Sequence, residues 1–194
     1  MDTTDTAALD RADMSRLAGG HDAALDALME RHARPVFRFL YRMLGNEDDA
    51  NDLAQVTFVR IYQHRTDFRP ETKFTTWLYT IAGNLARNHH RWLARHPTVS
   101  LDKPADADEP GLADTLPAKT ASPGDAAVAA ERVAAVRAAV NQLPEDLREA
   151  LVLCEWEELP VAEAAAVLGA TPKAVESRLY RARQLLRDRL RKWL

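Results

Sequence analysis

LPVAEAAAVLGATPKAVESRLYRARQLLRDRL, residues Leu159 to Leu190, reads as a short helix, a glycine-containing turn and a longer basic helix. Thr171–Pro172 supplies a hydroxyl N-cap followed by proline in the first turn, which starts the second helix. The apolar residues Val175, Leu179, Ala182, Leu186, Leu190 and Trp193 recur at steps of four, three, four, four and three. That is the spacing of one helix face. Ala164, Ala165, Leu168 and Val175 let the two helices cross closely, as in a helix-turn-helix. With the stripe inward, Lys173, Glu176, Ser177, Tyr180, Arg181 and Gln184 point outward or to the flank. The N-terminal half of such a helix reaches base edges while arginines behind it bind phosphate. The alternative is an amphipathic helix whose charges only face water.

Upstream, two more helices complete this half. One covers about Ala126 to Gln142, with Val133, Val136 and Val140 inward. The other opens at Pro144, with Glu145 and Asp146 favourable in its first turn. Residues 97–125 differ in kind: they hold five of the ten prolines, no aromatic residue, two basic and six acidic side chains. Such a stretch buries too little surface to offset its chain entropy and reads as a flexible acidic linker. It separates a C-terminal module, 126–194, from an N-terminal one, 21–96. Residues 1–20 are expected to be disordered or frayed.

The N-terminal module also reads as helical. Leu25, Leu28, Met29 and His32 share a face, Pro35 opens a second helix with Val36, Phe37, Phe39, Leu40 and Leu44, and Gly45–Asn46 ends it. Asp48 to Gln63 starts acidic, as a helix N-terminus favours, with Leu53, Val56, Val59 and Tyr62 on one side. Phe74, Trp77, Leu78, Ile81 and Leu85 stripe a helix running to about Arg95. No alternating strand pattern of useful length occurs. The fold class is therefore all-α: an N-terminal helix bundle and a four-helix C-terminal domain joined by a linker.

Composition bounds the function. The 194 residues carry net charge −3 and a single cysteine, Cys154, so no internal disulfide or multi-thiolate metal site forms within one chain. His89 and His90 are adjacent and point to different faces, with no carboxylate or thiol at ligand spacing. There is no P-loop, no GxSxG and no Cys–His pairing with a third group. No catalytic site, metal or cofactor is expected. The acidic N-terminus is unlike a signal peptide and no run suffices for a membrane helix, so a cytoplasmic protein without membrane insertion is expected. The mild net charge hides segregation. Residues 60–96 hold seven basic and two acidic side chains, and residues 171–194 hold eight and two. Two separate polyanion contacts are implied.

In the first basic segment, Thr80, Asn84, Arg87, Asn88 and Arg91 lie opposite the apolar stripe. Amides interleaved with arginines suit base-edge and phosphate contacts. The preceding loop adds Phe68, Arg69 and Lys73, suited to stacking an unpaired base beside a phosphate. Phe74 and Trp77 serve either there or in the core. On the acidic helix, Asp49, Asp52 and Gln55 line one edge with Phe58 nearby: acids complementing a helix dipole, or a docking surface for a basic partner.

Taken together, DDANDLAQVTFVRIYQ (Asp48–Gln63), FRPETKFTTWLYTIAGNLARNHHR (Phe68–Arg91) and LPEDLREALVLCEWEELPVAEAAAVLGATPKAVESRLYRAR (Leu143–Arg183) resemble bacterial RNA polymerase sigma factors of the extracytoplasmic-function type. The resemblance covers about residues 20–95 and 126–192, with the motifs in order. It implies that Asp49, Asp52, Leu53, Gln55 and Phe58 dock on the clamp helices of the largest subunit of core RNA polymerase. It further implies that Phe68, Arg69, Lys73, Phe74, Trp77, Asn84, Arg87, Asn88 and Arg91 melt and read the minus-ten element of promoter DNA. Lys173, Glu176, Ser177, Arg178, Tyr180 and Arg181 would face the minus-thirty-five element. The linker would thread the RNA channel, and an anti-sigma factor would regulate the protein. Val56 stands where the family usually has glutamate, and Glu176 where a basic residue is common. The competing reading is a stand-alone helix-turn-helix regulator that never docks on core polymerase.

Overall fold

Among the described residues of this computed structural model, 3–96 and 123–193, with side chains described for 6–96 and 128–193, all regular structure is helical. The order is α1 (Thr3–Ala18), α2 (Ala23–Leu44), α3 (Glu47–Gln63), α4 (Phe74–Arg95), α5 (Pro123–Asn141), α6 (Glu145–Leu151), α7 (Val161–Leu168) and α8 (Pro172–Arg189). A π-helical turn, Val152–Trp156, extends α6, and a 3-10 turn, Arg191–Trp193, follows α8.

Local chemistry sets the helix ends. Gly45 caps α2 in the left-handed region, φ 70°, and donates to the Tyr41 carbonyl. Asn46 then caps α3, its side chain accepting from the Asp49 amide at 3.1 Å, with Glu47, Asp48 and Asp49 in the first turn. Gly169, φ 58°, ends α7, and Thr171 caps α8 by accepting from the Ala174 amide at 3.2 Å.

Three sequence expectations change here. Pro35 does not open a new helix; it lies inside α2. An interior proline costs about 3 kcal/mol. The continuous face Leu28, His32, Val36, Phe39, Leu40 and Met43 is buried on either side of it, and each large apolar side chain contributes about 1.5–3 kcal/mol. Burial wins. Residues 3–18 are not frayed: α1 buries Met14 and Leu17. It also sets Asp10 and Asp13 against α2, where Arg31 Nε donates to Asp10 at 3.0 Å and Arg31 Nη2 to Asp13 at 2.7 Å. On α3 the inward face is Ala50, Ala54, Thr57, Phe58 and Ile61, which leaves Val56 and Val59 exposed.

The expected linker falls outside the described residues from 97 to 122, and its last three positions already belong to α5. The two halves share one buried cluster, which runs from Met14, Phe39 and Leu78 to Leu153, Ala164 and Val175. α7 packs across α4, and α5 and α6 meet α2. Arg148 is the polar strut of that junction. Its Nη1 donates to the Met43 carbonyl at the end of α2, 2.6 Å away, and its Nη2 to the Leu143 carbonyl at 3.0 Å. Cys154 is half-buried among apolar neighbours, and burial pushes its thiol up.

Candidate nucleic-acid interface

Along α4, helical spacing places Asn84, Asn88, Arg91 and Arg95 on one exposed edge. Each amide there orients the arginine one turn on. Arg87 Nη2 donates to Asn84 Oδ1 and Arg91 Nη2 to Asn88 Oδ1, both at 2.6 Å. Arg91 Nε donates back to the Arg87 carbonyl at 3.3 Å, and Arg95 Nε to the Arg91 carbonyl at 3.1 Å. The edge is a row of guanidinium and amide groups held in fixed rotation, the donors that phosphates and base edges accept from.

The loop before α4 ends in an aromatic cluster. Phe68 and Trp77 are half-buried, with ring centroids 5.3 Å apart, while Arg69 and Lys73 are exposed beside them. Phe74 is not available to a base. It is only 3% exposed, wedged against Phe68, Trp77 and the His32 ring 5.1 Å away. The first residue of an amphipathic helix whose stripe continues at Leu78 belongs to the core, and its neighbours Phe68 and Trp77 carry the exposed ring surface.

The C-terminal half meets the same helix. Glu149 on α6 pairs with Arg87, Glu163 on α7 pairs with Lys73, and Glu157 accepts from the Tyr79 hydroxyl at 2.6 Å and from Arg42 Nη1 at 3.2 Å. Burial raises the carboxyls of Glu149 and Glu157 above the ordinary range, although Arg87 opposes it at the first and Tyr79 and Arg42 at the second. Tyr79 is pushed up as well, by burial and by Glu157. These three acids lie in a segment whose sequence offers no periodic signal of their role. The only clue is Gly83 in the middle of α4, where a side chain would collide with the Glu149 carboxylate.

On α8, Lys173, Glu176, Ser177, Tyr180 and Arg181 are all exposed, Tyr180 by 65%. Arg178 is turned aside: it sits on the flank and faces Asp146 of α6 at 3.6 Å. Arg183 is tied to Glu155 through its Nε at 3.1 Å. The acidic edge of α3 divides likewise. Asp52 and Gln55 are exposed, Asp49 and Leu53 half-buried, with the His89 ring nitrogen Nε2 lying 3.2 Å from the Asp49 carboxylate. Phe58 is 4% exposed and packs inward, so it supports that edge from below and offers no surface of its own. Sequence reading missed Val56 and Val59, 37% and 53% exposed beside Asp52 and Gln55; a step of four or seven from Asp52 is the signal that finds them.

Among the described residues, no group of three histidine, cysteine or acidic side chains stands ready for a metal ion, and no helix is long and apolar enough to cross a membrane.

Comparison with known proteins follows the same division. Residues 28–96 match Sigma-70 region 2 and residues 134–186 match Sigma-70, region 4. The chain is 37% identical over 178 residues to the ECF RNA polymerase sigma factor SigE of Mycolicibacterium smegmatis, covering 90% of this chain and 66% of that one. It is 34% identical over 173 residues to the RNA polymerase sigma-H factor of Pseudomonas aeruginosa, covering 89% of each. A solved structure of CnrH in complex with the cytosolic domain of CnrY is similar with a TM-score of 0.69 at 28% identity, covering 95% of this chain and 98% of that one.

Proposed function

The chain belongs to the sigma-70 family of transcription initiation factors, in its extracytoplasmic-function branch, and on that premise we propose that it docks on core RNA polymerase through α3 and reads promoter DNA with α4 and α8. The docking edge is Asp49, Asp52, Leu53 and Gln55, widened by the exposed Val56 and Val59 and supported from the inside by Phe58. Acids beside exposed branched aliphatics suit a basic, partly apolar helical partner such as the polymerase clamp helices.

Promoter melting falls to α4 and its loop. Asn84, Asn88 and Arg91 face the strand, Arg69, Lys73 and Arg87 hold phosphates, and Phe68 with Trp77 offers ring surface for a flipped base. Extruding a base costs a few kcal/mol, which stacking offsets at about 1–3 kcal/mol per base. Lys173, Glu176, Ser177, Tyr180 and Arg181 enter the upstream major groove, with Arg178 bracing α8 on α6. Glu176 accepts a hydrogen bond there, which favours a cytosine amino group over a phosphate. Control by an anti-sigma factor belongs to the same reading; CnrH, a similar structure, was solved with the cytosolic domain of CnrY.

The exposed edge of α3 carries this reading, because a stand-alone repressor has no use for it. Run-off transcription with purified core polymerase tests it: the chain yields specific transcripts, and Asp52→Arg with Gln55→Ala yields none and no longer co-purifies with core enzyme. Retained co-purification by that variant would remove α3 from the interface.

A further inference from the structure

Behind Phe68 and Trp77 lies a chain of buried groups that starts on α1, a helix that precedes the residues matched to Sigma-70 region 2. Asp10 is 1% exposed and His32 of α2 is 7% exposed. His32 Nε2 lies 2.8 Å from Asp10 Oδ1, and Arg31 Nε donates to the same oxygen at 3.0 Å. The carboxylate accepts from both, which sets the imidazole with its proton on Nε2 and restrains its rotation. That imidazole packs against Phe74, with centroids 5.1 Å apart. Phe74 in turn meets Phe68 and Trp77 edge-on, at 6.3 and 6.4 Å. Anchoring α1 does not need the carboxylate, because Met14 and Leu17 on the following turns are fully buried. A buried ion pair adds little stability over apolar side chains of similar size, so Asp10 is better explained by what it orients.

Resting on the assignment of Phe68 and Trp77 to a flipped base, we propose that Asp10 and His32 are positioning residues for promoter melting. Asp10 fixes the His32 ring, that ring fixes Phe74, and Phe74 sets the angle at which Phe68 and Trp77 meet an unpaired base. Stacking depends on the offset and tilt of the rings. A platform already held by packing and buried hydrogen bonds receives the base without first having to be ordered. Through this series of rings, α1 acts on a DNA strand that none of its own residues touches.

The test uses the full chain assembled with core RNA polymerase, on a promoter duplex that supports run-off transcription. 2-Aminopurine scanned along the minus-ten element locates the flipped base by its fluorescence. Open-complex formation at saturating holoenzyme is then timed on the intact duplex and on one that is abasic at that position. Asp10→Ala removes the acceptor, while Arg31 keeps Asp13 at 2.7 Å. His32→Leu removes the ring and leaves the Asp10–Arg31 pair in place, so it carries the test if Asp10→Ala does not fold. Both variants should open the intact duplex about tenfold more slowly, the order of one lost base stack. Both should match the wild type on the abasic duplex, with closed-complex affinity unchanged. Asp10→Asn keeps an oxygen acceptor in the same place and should open the intact duplex at close to the wild-type rate. A general structural defect would slow both duplexes alike. That result, or Asp10→Asn opening as slowly as Asp10→Ala, overturns the positioning role alone. A wild-type holoenzyme that unstacks no base of the minus-ten element sinks the assignment of Phe68 and Trp77 on which the role rests.

Discussion

α4 and α8 are both basic amphipathic helices carrying residues assigned to promoter DNA, yet the fold treats them differently. α8 rests on α5, α6 and α7, all of its own half, and Lys173, Ser177, Tyr180 and Arg181 stay exposed. α4 rests on α1, α2 and α3 and in addition receives α7, with carboxylates 62 and 90 residues away closing on Arg87 and Lys73. A basic stripe in a sequence therefore states only that a helix face is cationic. Whether that face is free depends on where the acids of another segment land. Here the acidic stretch 126–170 lends Glu149, Glu157 and Glu163 to α4 and leaves the outer face of α8 open.

The largest expected effect tests whether the halves are held together at all. Arg148→Ala strips a nearly buried guanidinium from the Met43 carbonyl of α2 and the Leu143 carbonyl of its own half. Burial lowers the Arg148 pKa, opposed by the nearby Glu145 charge, so the cation is kept there at a desolvation cost that Glu145 and the carbonyl acceptors offset. Orphaning buried acceptors costs about 1–3 kcal/mol each, and a total near 3 kcal/mol in urea unfolding is the expectation. His90 Nε2 at 3.0 Å softens the loss at Met43. If the halves were independent, the Met43 share would vanish and the unfolding of α2 would not respond. Tyr79→Phe comes next. It leaves Glu157 with Arg42 as remaining donor, and hydrogen bonds to charged groups contribute about 1.5–3 kcal/mol. A loss below about 0.5 kcal/mol in the same assay would mean the Tyr79–Glu157 contact is not formed in solution.

The helix-turn-helix was readable because every signal in Leu159–Leu190 agrees: a glycine C-cap, a Thr–Pro start and a clean apolar stripe. α1 was not, since its apolar anchors are few and its fixing comes from Asp10 and Asp13 paired with Arg31 and from Asp10 hydrogen-bonded to His32, contacts across about twenty residues that periodicity does not register. α3 misled because two stripes compete. The large apolar residues Leu53, Val56, Val59 and Tyr62 suggest one stripe, but Ala50, Ala54, Thr57, Phe58 and Ile61 form the face packed against α2 and α4, with Leu53 and Tyr62 at its border and the two valines outward. At the site, the sequence alone shows that α4 and α8 each expose basic and polar side chains opposite an apolar stripe. The pairing of Arg87 with Glu149 and of Lys73 with Glu163 was not legible, because it joins distant segments through single side chains.

The open and closed faces also differ in how they answer salt. In the free chain, Arg181→Ala should flatten the salt dependence of duplex binding by about one unit of slope, the loss of one phosphate contact. Arg87→Ala should leave that slope nearly unchanged, since its charge is already spent on Glu149. Equal changes from both would erase the distinction between the two helices.

The finest test is protonation. Glu149 faces Arg87 of α4 and Arg178 of α8, with Glu145 on its own helix, and burial still raises its carboxyl above the ordinary value of 4.5. Glu157, facing Tyr79 of α4 and Arg38 and Arg42 of α2, with Glu158 beside it, is raised in the same way. The folded chain thus holds protons at pH values where the unfolded chain has released them. The contribution of these two groups to stability is greatest below the ordinary glutamate range and is lost as pH rises through the raised values. Urea unfolding at stepwise higher pH, from mildly acidic to neutral, should therefore show a gradual fall in stability. Glu149→Gln, which imitates the protonated acid, should reduce that dependence, because Arg87 retains Asn84 Oδ1 at 2.6 Å as an acceptor. An unchanged pH dependence in Glu149→Gln would show that Glu149 does not carry the raised titration.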